Sequence, residues 1–152
     1  MTDPIAFVSA TPRFGLPMLF AAQAQKETYV NEAHVLTDAL LHPLVEGIAT
    51  DEPASPASGE CWLVGASATG AFAGQDDAIA CYHEGQWLFA APGEGMTVFD
   101  RSLAAARYYR GGWTANAAIS DPTGGLVVDQ EARQAVQAIV DALVAAGILP
   151  NL

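Results

Sequence analysis

The hydrophobic positions follow two different periods along the chain. In Ala21–Leu41, Tyr29, Ala33, Leu36 and Leu40 recur at spacings of 4, 3 and 4, with Val30 and Ala39 widening the stripe. That is the period of one helix face. Gln25, Lys26, Glu27, Glu32 and Asp38 fall mostly off it, and Pro43 ends the run at or before His42, so the pattern predicts a helix over 21–42. A second stripe, Ala132, Val136, Ile139, Leu143 and Ala146, is spaced 4, 3, 4 and 3, an a/d seam of about two heptads. Val140 and Val144 widen it. Asp129 is placed to cap its start, Gly147 to close it and Pro150 to forbid continuation, which predicts a helix over 129–146.

Between the helices the period shortens. Cys61–Val64, Ala78–His83, Gln86–Ala90, Met96–Phe99 and Ala106–Tyr109 are short apolar runs bounded by Gly, Pro and Asp, and read as strands. Glu84-Gly85 and Gly111-Gly112 are hairpin-turn candidates. Tyr82-x-x-Gly85-x-Trp87 recurs as Tyr108-x-x-Gly111-x-Trp113, two copies of a similar hairpin. The Pro/Ser/Ala-rich stretch 49–59 is the clearest internal connector, and 114–128 is a loop centred on Asp121–Gly125. In residues 1–20, Pro4, Pro12 and Pro17 favour an extended path, while Phe14, Leu16, Leu19 and Phe20 make the stretch too apolar for a solvated tail. Such an arm docks on its own domain or on a neighbouring subunit. The expected architecture is α+β: an extended arm over 1–20, then one domain over 21–152. In that domain a small antiparallel sheet or barrel of hairpins over about 60–114 lies between an N-terminal and a C-terminal helix.

Composition bears on partners. The 152 residues are 51% hydrophobic and only 15% charged, so a core forms readily and a monomer has few charges with which to cover its surface. Subunit association relieves that shortage. With 17 acidic and 6 basic residues the net charge is −11, which repels nucleic acid and anionic membranes. No positive start leads into a long apolar run and no segment approaches ~20 apolar residues, so a cytoplasmic product without signal peptide or membrane span is expected.

Candidate chemistry is sparse. Cys61 and Cys81 read as two buried thiols or as a bridge between neighbouring strands, and neither has a partner at zinc-site spacing. Cys81 and His83 share one side of a strand, a minimal thiol–imidazole pair, but no nucleophile elbow accompanies them. His34 and His42 lie too far apart on the helix for a metal pair. Asp76, Asp77, Glu84, Glu94, Asp100 and Asp121 sit in turn-like contexts without a distinguishing pair, and the glycines at 65, 70 and 74 lack a P-loop lysine and read as a flexible hairpin loop. No catalytic residue, cofactor or metal is therefore expected. Trp87, Tyr108 and Trp113 are candidate carbohydrate contacts, although such rings also fill small β cores.

The stretch Pro12–Leu41 resembles a known family. Gly15-Leu16-Pro17, Gln23-Ala24-Gln25-Lys26, Asn31-Glu32-Ala33 and Asp38-Ala39-Leu40 carry the likeness. Ala54–Glu60, Gly70–Gly74 and Asp77–Ala80 leading to Gly85-x-Trp87 extend it, so that it covers about residues 11–114. The family it resembles is alphaproteobacterial, encoded in prophage and gene-transfer-agent clusters and formerly of unknown function, and the last helix is similar to the ends of tail-fibre-type proteins. The resemblance implies a non-enzymatic virion structural protein, most like the small head-spike (spike base) protein of a gene transfer agent. Such a protein attaches a spike or fibre to the capsid and supports binding to capsular polysaccharide. The implied partners are further copies of itself, as a trimer or pentamer, and capsid and spike or fibre proteins. The expected assembly surface is Phe14, Leu16, Leu19, Phe20, Tyr29, Ala33, Leu36 and Leu40 with Val136, Ile139 and Leu143. A carbohydrate-binding module or tail-fibre domain is the alternative, and a small polysaccharide or peptidoglycan hydrolase a third reading.

Overall fold

The structure, a computed structural model, describes residues 11, 18, 26–120, 123–124 and 129–151, and of 26–29 the backbone alone. The arm residues Phe14, Leu16, Leu19 and Phe20, the first turn expected for the N-terminal helix and the side chain of Tyr29 lie outside the described residues. The chain divides into two compact units, one ending at Pro92 and one beginning at Gly93.

The first unit contains helix α1 (Lys26–Leu41) and strands β1 (Leu44–Val45), β2 (Ile48–Ala49), β3 (Cys61–Val64), β4 (Ile79–His83) and β5 (Gln86–Ala90). One sheet runs in the order β2-β3-β4-β5, with β2 parallel to β3 and the other pairs antiparallel. The register sets the faces. Cys61, Leu63, Ile79, Cys81, His83, Gln86 and Leu88 point one way; Trp62, Val64, Ala80, Tyr82, Trp87 and Phe89 point the other.

On the first face lies α1, with Val35 and Ala39 buried. The predicted stripe differs from the packed one: Ala33 is exposed, and Leu36 and Leu40 are only half-buried. Val35 is one residue from Leu36, about 100° around the helix axis. Apolar residues surround so much of α1 that spacing alone does not single out the side that meets β4 and β5.

On the second face, the segment expected to be a flexible loop instead closes as a 3-10 turn, Gly70–Phe72. It seats Phe72, fully buried, among Val64, Ala78 and Ala80, with Trp87 and Phe89 beside it. The turn is clamped from the connector 49–59. Ala71 N donates to Glu52 Oε2 at 2.6 Å and Thr69 N donates to Thr50 O at 2.7 Å. Gly70 has φ 57, and a Cβ there would overlap the Asp51 and Glu52 carboxylates and push them from their places, so the position favours glycine.

The second unit contains the antiparallel meander β6 (Thr97–Asp100), β7 (Ala105–Tyr109) and β8 (Trp113–Ala115), followed by helix α2 (Gln130–Ala145). The repeated Tyr–Gly–Trp pattern does not repeat in space. Glu84 and Gly85 have φ 46 and 87, the two left-handed residues of a type I′ hairpin, and they make Tyr82 and Trp87 direct partners. In the second hairpin three residues, Arg110–Gly112, connect the strands. The extra residue shifts the register by one, so Tyr109 faces Trp113 and Tyr108 faces Thr114. The class is α+β as the pattern predicts. In place of one antiparallel sheet over 60–114 the strands form two small sheets, one of them with a parallel pair, and among the described residues neither closes into a barrel.

Candidate functional site

The local sequence around α2 specifies both of its ends. Asp129 accepts a hydrogen bond from Ala132 N at 2.9 Å, capping the first turn. At the other end Gly147, at φ 68, donates to Val144 O, and Ile148 N donates to Leu143 O, the paired bonds of a Schellman close. That close also anchors the helix in its unit. Ala106 N donates to Gly147 O at 2.8 Å, Asn116 Nδ2 donates to Ile148 O at 2.9 Å, and Leu149 is buried. A Cβ on Gly147 would come within 2.8 Å of the Phe99 ring, so the approach depends on glycine.

Between its ends α2 buries none of its residues. The predicted seam faces solvent: Val136 is 43% and Ile139 60% exposed, Ala132 and Ala146 are exposed, and Leu143 is half-buried. The adjacent side, with Val140 and Val144, lines a groove of about 230 Å³ closed by Ile119 and Pro150. The structure thus brings Val136, Ile139 and Leu143 onto one open stripe.

A second concavity of about 220 Å³ lies within the first unit, between α1 and the tip of the β4–β5 hairpin. Asn31, Glu32 and Val35 line it from the helix, and His83, Glu84 and Gln86 from the hairpin. His83 Nδ1 stands 3.1 Å from Ser58 Oγ at the exposed surface, so His83 meets a hydroxyl, while Cys81 packs against the strand bearing Cys61. Among the described residues no group of three or more His, Cys, Asp or Glu side chains is arranged to hold a metal ion.

Of the candidate carbohydrate contacts, Trp87 meets Phe72 edge-on at 4.9 Å and tilts against Tyr82 at 5.1 Å. Trp113 packs on Tyr109 at 5.3 Å. Tyr108 and Trp113 occupy opposite faces of their hairpin, because Trp113 pairs with Tyr109. All three candidates are half-buried.

Two carboxylates have defined roles: Asp100, which the sequence leaves among the turn residues, and Glu52, in the connector 49–59. Asp100 is completely buried. Its Oδ1 accepts from Ser102 N at 2.8 Å and Ser102 Oγ at 2.6 Å, and its Oδ2 from Arg107 Nε. Burial pushes this carboxyl up, but the Ser102 hydroxyl and the Arg107 guanidinium outweigh it and hold the group below its ordinary value. Glu52 is also held below its ordinary value, first by the Ala71 N–H and then by its contact with Asp51. The available signal was the Asp-x-Ser order of Asp100–Ser102, which favours a side-chain-capped turn.

A family model described as a protein of unknown function, DUF2793, matches residues 30–114, from within α1 to within β8. No curated protein and no solved structure gives a significant match. Among the described residues no helix is long and apolar enough to cross a membrane.

Proposed function

The chain belongs to the DUF2793 family, and from that premise we propose that it is a non-enzymatic structural component of a phage-like particle, a gene-transfer-agent head spike or spike base. In this role it attaches a spike or fibre to the capsid and so supports contact with the host's surface polysaccharide. One observation carries the reading: α2 is a well-capped helix of 16 residues that buries none of them and presents Val136 and Ile139 to solvent. A single helix of about this length is marginal in water unless its apolar face is packed. A homo-oligomer of trimeric or pentameric order, or a capsid or fibre partner, supplies that packing. A standard interface takes about 800 Å² from each partner, and Leu36 and Leu40, half-buried on α1, are further assembly residues. The signature resembled by Pro12–Leu41 supports the particle assignment.

The test is compositional. Phage-like particles purified from the producing strain should contain this chain in fixed proportion to the capsid protein, and particles from a deletion strain should lack the spike and bind host cells poorly. Particles that carry none of the chain, or that attach normally without it, would remove the reading.

A further inference from the structure

Cys61 and Cys81 stand directly opposite one another in the register of β3 and β4, each 2% exposed. Backbone hydrogen bonds fix the kind of pair they form. Next to them, Tyr82 N donates to Glu60 O at 2.9 Å and Gly59 N donates to Tyr82 O at 2.8 Å. Cys61 O instead accepts from Glu46 N at 2.8 Å, and Leu63 N donates to Gly47 O at 2.9 Å, both on the side of β3 away from β4. The two cysteines are therefore a non-hydrogen-bonded antiparallel pair. Opposed α-carbons in such a pair approach to about 4.5 Å, with the side chains at their closest. A disulfide spans roughly 4.4–6.8 Å between α-carbons, so the register places the two thiols within bridging range with the sheet intact. Gly59, at φ 91, forms a bulge with Glu60 opposite Tyr82, which adds local twist immediately before Cys61.

We propose that Cys61 and Cys81 are a redox-sensitive modification site, closing into an intramolecular cross-strand disulfide on exposure to a low-molecular-weight disulfide such as oxidised glutathione. One cysteine thiolate attacks a glutathione disulfide sulfur, giving a mixed disulfide and releasing one glutathione thiol. The other thiolate attacks the protein sulfur of that mixed disulfide, forming the Cys61–Cys81 bond and releasing the second glutathione. Two protein thiols are oxidised, one glutathione disulfide is reduced, and the two protein protons end on the released thiols. In the reduced form Cys61 Sγ donates weakly to Gly59 O at 3.7 Å, an interaction the bond replaces. Because both thiols are buried, closure requires a transient local opening of the sheet that exposes one of them, and is slow. The bond ties the strands on either side of the segment that seats Phe72. It would remain open in a reducing cytoplasm and close outside it. The site stands apart from the particle role, so either can fail while the other holds.

The test equilibrates the purified full-length protein in glutathione buffers of varied thiol-to-disulfide ratio. Remaining thiols are then alkylated in denaturant and the intact mass is read. At oxidising ratios the chain should lose the mass of two hydrogens and take up no alkylating agent, and a non-reducing digest should join the peptides holding residues 61 and 81. Cys61→Ser and Cys81→Ser should each leave one alkylatable thiol or one glutathione adduct. Two alkylatable thiols at equilibrium in the most oxidising buffer, a persistent glutathione adduct on the unsubstituted chain, or a disulfide between chains would overturn the proposal.

Discussion

Asp100 and Gly70 are the residues on which local structure most depends. Asp100 holds the β6–β7 turn through Ser102 and pairs with Arg107 while completely buried. Asp100→Asn keeps the shape but loses the charge-assisted bonds, and should cost about 1.5–3 kcal/mol at neutral pH. The sign of the pH dependence follows from the lowered folded-state value. The unfolded carboxyl takes up a proton first, so the stabilisation is complete above its ordinary range and is lost as pH falls through the folded value. Urea unfolding of the two proteins should therefore differ most near neutral pH and converge in acid; a constant gap would contradict the role given to the charge. Gly70→Ala forces a side chain into a left-handed position already crowded by Asp51 and Glu52. It should lower stability by about 1–3 kcal/mol and red-shift the tryptophan emission, as Phe72 no longer seats against Trp87; unchanged thermal unfolding would refute the clamp.

At the scale of the element, α2 separates helix formation from helix packing. Its ends are specified by Asp129 and Gly147, so it forms wherever its apolar stripe lies. Ile139→Asp, at the most exposed large apolar position of the helix, should therefore leave the monomer's thermal unfolding within about 0.5 kcal/mol while lowering the mass measured in solution to that of a single chain. A variant that keeps the wild-type mass would place the assembly surface elsewhere. The α1 contact is different in kind: Val35 is buried in its own unit, so substitutions there disturb folding before they disturb association. Strand boundaries were legible where an apolar run of four or five residues lay between turn residues, as with Cys61–Val64 and Gln86–Ala90. The two-residue strands β1 and β2 have no period to read.

For the whole molecule, charge opposes the association proposed for the apolar stripe of α2. Each chain carries a net charge of −11, so bringing copies together raises their mutual repulsion. Salt screens that repulsion, with a Debye length of about 10 Å at 0.1 M. Association measured by sedimentation should strengthen between low and moderate ionic strength; weakening on added salt would mean that ion pairs, not apolar burial, hold the copies together. The sequence alone determined the elements whose causes are local: the α+β class, both helices, the cap and close of α2, and the two hairpin turns. Periodicity and turn chemistry act within a few residues, which is why they can be read from a string. Tertiary structure decided which side of α1 is buried, that Gly70–Phe72 inserts into the core, that Tyr108 and Trp113 part to opposite faces, and that Cys61 meets Cys81. Each of these depends on register or on packing between segments distant in sequence. A shift of one residue reverses a strand's faces or turns a helix by about 100°, and no local pattern records it.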